Sequence, residues 1–181
     1  GSAGGTSVAT RVRRANESAS ITLFERTAHI ASAYCGLPYH VGGVIAQRET
    51  LLPVNPAELA RRHCLDIRTR HEVLAINRPA QTVTVRDLAD GRIFEEPYDK
   101  LVLATGAEAH LPALPGIDLP GVFGLRNLPD LDRIMDWMKT RPVRHATVVG
   151  GGFVGLELAE NLVRRGYTVS LIEAGPRLMP A

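Results

Sequence analysis

Cys35 is the side chain in this sequence best suited to covalent and redox chemistry. It stands alone in the run Ala31-Ser32-Ala33-Tyr34-Cys35-Gly36-Leu37-Pro38-Tyr39. A thiolate can attack sulfur and pass through oxidised states, but it needs an electron source to turn over. Two glycine-rich segments bracket it, Gly1-Ser2-Ala3-Gly4-Gly5 and Gly150-Gly151-Gly152-Phe153-Val154-Gly155. Such turns let backbone approach a pyrophosphate held at a helix N-terminus. A lone thiol between two of them suggests electrons moving from a nicotinamide, through a flavin, to sulfur.

Each turn needs a helix behind it and an acid at the end of the next strand. In the first, Thr6 to Ala15 reads as helix, with Val8 and Val12 at i, i+4. Ile21-Thr22-Leu23-Phe24 reads as a short strand closed by Glu25, twenty residues past Gly5. An acid there would accept hydrogen bonds from an adenosine ribose. A hydrophobic strand and a further glycine should open such a unit, so the chain is expected to start inside the motif. The competing reading of the first residues is a Gly/Ser linker, and the spacing to Glu25 favours the motif.

The second turn has the fuller pattern. His145 to Val149 reads as the strand before it, Leu156 to Arg165 as the helix after it, and Tyr167 to Ile172 as the next strand. Glu173 closes that strand, eighteen residues beyond Gly155. Between the two units, residues 50–65 read as a short helix. The stretches Val73–Ile76, Thr82–Val85 and Gly91–Phe94 read as an antiparallel meander with a tight turn at Ala89-Asp90-Gly91. Lys100–Ala104 is expected to be a buried parallel strand ending at Thr105-Gly106, and the proline-bearing stretch from Ala107 to Gly121 a linker. Leu128 to Thr140 is an amphipathic helix with Leu131, Ile134 and Met138 on one side and Trp137 as a core residue.

Bulk composition narrows the function class. The 181 residues are 45% hydrophobic, enough for a core, and allow one domain or two small ones. Lys and Arg number 21 against 19 Asp and Glu, too balanced for a nucleic-acid surface. Arg11, Arg13 and Arg14 could meet an anionic ligand or simply form a solvated helix face. Two cysteines, Cys35 and Cys64, do not make a disulfide scaffold, which points to a reducing cytoplasm. No apolar run approaches a membrane span, and no metal-ligand set is expected. Cys64 reads as a buried, inert thiol. Gly36-Leu37-Pro38 sets Cys35 at or near a helix start, where the thiolate is favoured.

Together these residues resemble the pyridine nucleotide-disulfide oxidoreductase superfamily, and most closely its single-cysteine branch of coenzyme A-disulfide reductases and NAD(P)H-dependent persulfide or polysulfide reductases. The match lies in Cys35-Gly36-Leu37-Pro38-Tyr39, Gly42-Gly43-Val44-Ile45, His71-Glu72-Val73 and Ala104-Thr105-Gly106-Ala107. The resemblance implies an α/β, Rossmann-like FAD/NAD(P)-binding fold. It would be a three-layer ββα arrangement with a small antiparallel meander and the start of a second Rossmann unit. Residues 1–110 would form an FAD-binding domain lacking its first strand, and residues 111–181 an incomplete NAD(P)H-binding domain. The chain would be the N-terminal fragment of a homodimeric enzyme.

Carried over residue by residue, Gly4, Gly5, Glu25 and Arg26 would serve the FAD pyrophosphate and ribose. Val73 would meet the adenine through its backbone, and Ala104, Thr105 and Gly106 would pass close to the flavin. Gly150, Gly152, Phe153, Val154 and Gly155 would hold NAD(P)H, Glu157 would lie near the nicotinamide, and Ser7 and Arg14 would meet the substrate. Glu173 favours NADH, because an acid there accepts from a ribose 2′-OH and repels a 2′-phosphate. Arg177 could still admit NADPH. Cys35 would be the single redox residue, since His40 stands where two-cysteine relatives carry the partner thiol.

The expected substrate is a small disulfide, persulfide or polysulfide, with no nucleic-acid or membrane partner. NADH oxidase or peroxidase relatives carry His in the first turn, where this chain has Ala3. Coenzyme A-disulfide reductases carry Ser and Asn where this chain has Ala31 and Tyr34, and a basic residue where it has His63. Tyr34 could narrow the site towards smaller persulfides or polysulfide. The competing functions are the oxidase or peroxidase, a flavoprotein reductase of an electron-transfer partner, and a catalytically inactive nucleotide-binding module.

Overall fold

The computed structural model describes residues 2–179. They form an α/β protein of two compact units, residues 1–32 with 52–107, and residues 33–51 with 108–181.

The first unit begins with α1 (Ser2–Ala15), earlier than the expected start at Thr6, so Gly4 and Gly5 lie in its first turns. Its last turn carries Arg13 and Arg14, favourably placed against the helix C-terminal carbonyls. Arg13 donates to the carbonyls of His63 at 2.9 Å and Cys64 at 2.8 Å, and to that of Glu17. It therefore ties the end of α1 to the end of α3 (Pro56–His63), a structural use for one of the three clustered arginines.

Strand β1 (Thr22–Glu25) pairs in parallel with β2 (Asp66–Thr69), Leu23 opposite Ile67. The crossover between these strands includes α3. Ala9, Leu23, Ile30 and Leu65 make the buried cluster beneath this sheet, with Ile21, Val54, Leu59 and Ile67 packed on it. The antiparallel meander is β3 (His71–Asn77), β4 (Thr82–Asp87) and β5 (Ile93–Pro97) in that spatial order, with a bulge between Val73 and Ala75. Val83 and Val85 on the middle strand are its buried side chains. Arg68 joins β2 to the meander, paired with Glu96 at 2.9 Å and lying over the rings of Phe24 and Phe94.

In the second unit the short segment at Cys35 leads into α2 (Leu37–Val41). The helix expected over residues 50–65 is resolved into a 3₁₀ turn at Arg48–Leu51, in this unit, and α3 (Pro56–His63), in the first. Asn55 caps α3 by accepting from the Ala57 and Glu58 amides, and Pro56 opens the helix, where a missing N–H costs nothing. Helix α4 (Leu128–Thr140) has a capping box between Asn127 and Asp130 and buries Leu131 completely. Trp137 lies half-buried on it, edge-on to Phe123. Strands β6 (His145–Val149) and β7 (Thr168–Ile172) pair in parallel, joined by α5 (Phe153–Arg164), which is a βαβ unit.

Two expectations fail. Lys100–Ala104 belongs to no sheet, and Leu101, Val102 and Leu103 are exposed. An apolar run becomes a strand only beside a partner that takes up its backbone groups, and no described strand pairs with it. Cys64 is exposed, not buried. It is the C-cap of α3 in the left-handed region, φ 47°, which turns its side chain away from the helix packing.

Candidate active site

The second glycine-rich turn is built by close packing. Strand β6 runs into Gly150 at φ +107°, a conformation that disfavours any side chain. Gly152 caps α5 with no side-chain hydrogen bond, and no acidic residue lies in the first turn. The amides there are thus left to an external anion. A Cβ on Gly155 would sit 2.0 Å from the Gly150 carbonyl oxygen. A Cβ on Gly151 would sit 2.6 Å from Leu178 Cδ2. Phe153 and Val154 are exposed on the open side of the turn.

Glu173 buckles this turn to the end of β7. Its carboxylate accepts the Gly175 amide at 2.8 Å and the Gly151 amide at 2.6 Å. Those amides hold its pKa below the usual carboxylate range. Met179 N–H closes the strap by donating to the Gly151 carbonyl at 2.9 Å. The acid stays ionised at neutral pH with lone pairs left for a ribose diol. These glycines, the unclaimed amides and the ionised acid fit a dinucleotide. Arg177 is exposed in the same strap.

Cys35 is exposed and free, in the middle of the 3₁₀ turn Tyr34–Gly36. It does not stand at the start of a long helix. The following α2 has only five residues, so the expected helix-dipole stabilisation of the thiolate has little to act through. Gly36 is sterically required, since a Cβ there would meet Leu51 Cδ2 at 2.5 Å. The Ala33 amide donates to the Leu51 carbonyl at 2.9 Å, which pins the approach to Cys35. Beside it, the Arg126 guanidinium lies 5.1 Å over the Tyr34 ring. His40, in the position of a second thiol, is buried and hydrogen-bonds through Nδ1 to the Ile45 carbonyl at 2.7 Å.

Within the first unit, Gly4 and Gly5 face Ala104, whose Cβ lies 3.7 Å from where either would carry its own, and Gly5 also faces Leu23. Gly4, Gly5, Leu23 of β1 and Ala104 thus come together. Gly106 has φ +76°. Glu25 accepts the Thr27 amide and hydroxyl, both at 2.8 Å, and Arg26 pairs with Glu72 at 3.8 Å, next to Val73. Ser7 and Arg14 are both exposed on α1, seven residues apart and therefore on the same side.

One set of contacts escaped the sequence reading. Glu157, Asn161 and Arg165 of α5 and its C-cap contact Tyr39, Gly42 and Val41. The signal was present as three polar residues at a spacing of four, but nothing local names their partners more than a hundred residues away.

The whole chain, residues 1–181, matches the pyridine nucleotide-disulphide oxidoreductase family. A coenzyme A disulfide reductase of Staphylococcus haemolyticus is 38% identical over 97% of this chain and 39% of its own length. The reduced CoADR-RHD of Bacillus anthracis superposes with a TM-score of 0.96 at 44% identity, covering 99% of this chain and 32% of that one. An NAD-dependent persulfide reductase of A. fulgidus superposes with a TM-score of 0.90 at 31% identity, covering 98% of this chain and 34% of that one. The chain therefore spans well under half the length of these relatives. The family match covers the chain from end to end, and this chain belongs to the pyridine nucleotide-disulphide oxidoreductases.

Proposed function

We propose that this chain is the cofactor-binding and thiol-bearing part of a flavin-dependent NADH reductase acting on small disulfide, persulfide or polysulfide substrates through Cys35. The observation that carries it is an exposed, unpaired thiol on a sterically fixed turn, within the same compact unit as a close-packed dinucleotide cradle. The likeness to a coenzyme A disulfide reductase and a persulfide reductase supports sulfur as the target.

Gly4, Gly5, Glu25, Arg26, Val73, Ala104, Thr105 and Gly106 would hold FAD, and Gly150, Gly152, Phe153, Val154, Gly155, Glu157 and Glu173 would hold NADH. On this reading residues 1–110 serve the flavin and 111–181 the nicotinamide, a functional division distinct from the compact units. Bound FAD would supply the two-electron relay between NADH and sulfur. The protein's own part is nucleophilic. The Cys35 thiolate attacks one sulfur of the substrate, a Cys35–S–S–R bond forms, the original S–S bond breaks, and the other half leaves as thiolate or hydrosulfide. Two electrons and a proton then release R–SH and restore the Cys35 thiolate. Ser7 and Arg14, exposed together on α1, would meet polar groups of the substrate.

Residence in the cytoplasm follows the same reading, since both cysteines are unpaired. Among the described residues no helix is long and apolar enough to cross a membrane. Assembly as a homodimer rests on the resemblance alone.

The test is Cys35→Ser in the FAD-loaded protein that carries this chain. Turnover of disulfide or persulfide with NADH should fall by about a thousandfold or more, the scale of losing a covalent nucleophile. NADH reduction of an artificial one-electron acceptor should persist. Undiminished disulfide turnover in the variant would sink the proposal.

A further inference from the structure

Glu157 and Asn161 on α5, with Arg165 at its C-cap, stand four residues apart and share one face of the helix. All three meet the segment just after Cys35. Tyr39 Oη donates to Glu157 Oε1 at 3.4 Å. Asn161 is closed down on Gly42, where an added Cβ would lie 2.5 Å from Asn161 Cβ. Arg165 Nη1 donates to the Val41 carbonyl.

Packing alone does not explain this polar face. Asn161 is fully buried; its Nδ2 donates to the Glu157 carbonyl at 2.8 Å, but its Oδ1 accepts no hydrogen bond among the described residues. An empty buried acceptor is destabilising, and an apolar residue would serve stability better. What the face does achieve is to hold the stretch four to seven residues beyond Cys35 against the helix that starts at the dinucleotide turn.

We propose that Tyr39 is a positioning residue, whose hydroxyl orients the Glu157 carboxylate and so ties the nicotinamide end of the NADH site to the segment carrying Cys35. This rests on the reading of Glu157 as the acid beside the nicotinamide. The 3.4 Å separation is at the long end of a hydrogen bond, so the carboxylate is oriented without being locked away from a ligand. Tyr39 keeps its proton, because the negative charge of Glu157 raises the phenol's pKa, with Glu160 adding to the effect and Arg164 opposing it. Glu160 and Arg164 pair with each other at 2.8 Å, which leaves Tyr39 to Glu157. Tyr39 touches no reacting atom in this account, and its effect passes through Glu157.

The test uses the FAD-loaded protein and anaerobic rapid mixing with NADH, read by flavin absorbance. Tyr39→Phe keeps the ring and removes the hydroxyl. The expected result is a limiting reduction rate lower by about fivefold to tenfold, with the NADH dissociation constant within about twofold of the parent. Glu157→Gln should lower the rate at least as much. The double variant should be no slower than Glu157→Gln alone, because the two act as one unit. A normal rate in Tyr39→Phe beside a slowed Glu157→Gln overturns the Tyr39 proposal and leaves the reading of Glu157 intact. Normal rates in both single variants overturn both. Losses that multiply in the double variant overturn the coupling.

Discussion

The two glycine-rich segments of this chain differ in what their surroundings demand of glycine. At the second turn the protein itself demands it. A Cβ on Gly155 would collide with the Gly150 carbonyl at 2.0 Å, and Gly150 holds φ +107°. At the first turn the protein makes no such demand. Side chains at Gly4 and Gly5 would meet Ala104 at 3.7 Å, an ordinary contact distance, in a helix that would be better served by alanine. Where glycine is neither sterically required nor favoured by its backbone, the remaining reason is close approach of something from outside. On the proposed function, that contrast separates glycines that build the fold from glycines kept open for a ligand.

Gly155→Ala should show the largest effect. The α5 backbone must move off the Gly150 carbonyl, so NADH binding should weaken by about a hundredfold or more, with a loss of roughly 2–3 kcal/mol in unfolding free energy. Denaturant melts and NADH titration would read the two parts. Glu173→Gln comes next. It keeps one acceptor for the Gly151 amide and removes the charge, so the preference for NADH over NADPH in kcat/KM should shrink by about tenfold. The carboxylate is held below its usual range, so this contribution is present above that range and is lost only as pH falls through the lowered value. NADH affinity should therefore lose nothing to Glu173 protonation between about pH 6 and pH 8.

Gly5→Ala sharpens the contrast from the other side. Stability should change by less than about 1 kcal/mol, while flavin retention on gel filtration weakens by about tenfold. Equal stability losses in Gly5→Ala and Gly155→Ala would erase the distinction. Arg14→Ala should be smallest, raising the KM for an anionic disulfide about threefold with the NADH KM unchanged.

Much of the second unit was legible in the sequence. The bounds of α4 and β6 coincide with the expected Leu128–Thr140 and His145–Val149, because a capped amphipathic helix and a strand feeding a glycine turn carry local signals. Lys100–Ala104 was not legible as unpaired, since an apolar run reads the same whether or not a partner strand lies beside it. Cys64 was misread because burial follows cysteine statistics only until a backbone cap turns the side chain outward. The Tyr39–Glu157 contact joins residues 118 apart and has no local signature. Whether a glycine serves packing or a ligand was equally hidden, because the same letter fills both roles.

The central claim is that Cys35 is a redox thiol working with bound flavin. Anaerobic titration of the FAD-loaded protein with NADH, recorded across the visible spectrum, tests it most directly. The expected result is a long-wavelength thiolate-to-flavin charge-transfer band that appears in the parent and is absent in Cys35→Ser. Flavin bleaching by NADH with no such band in the parent would contradict the claim and leave Cys35 a surface thiol.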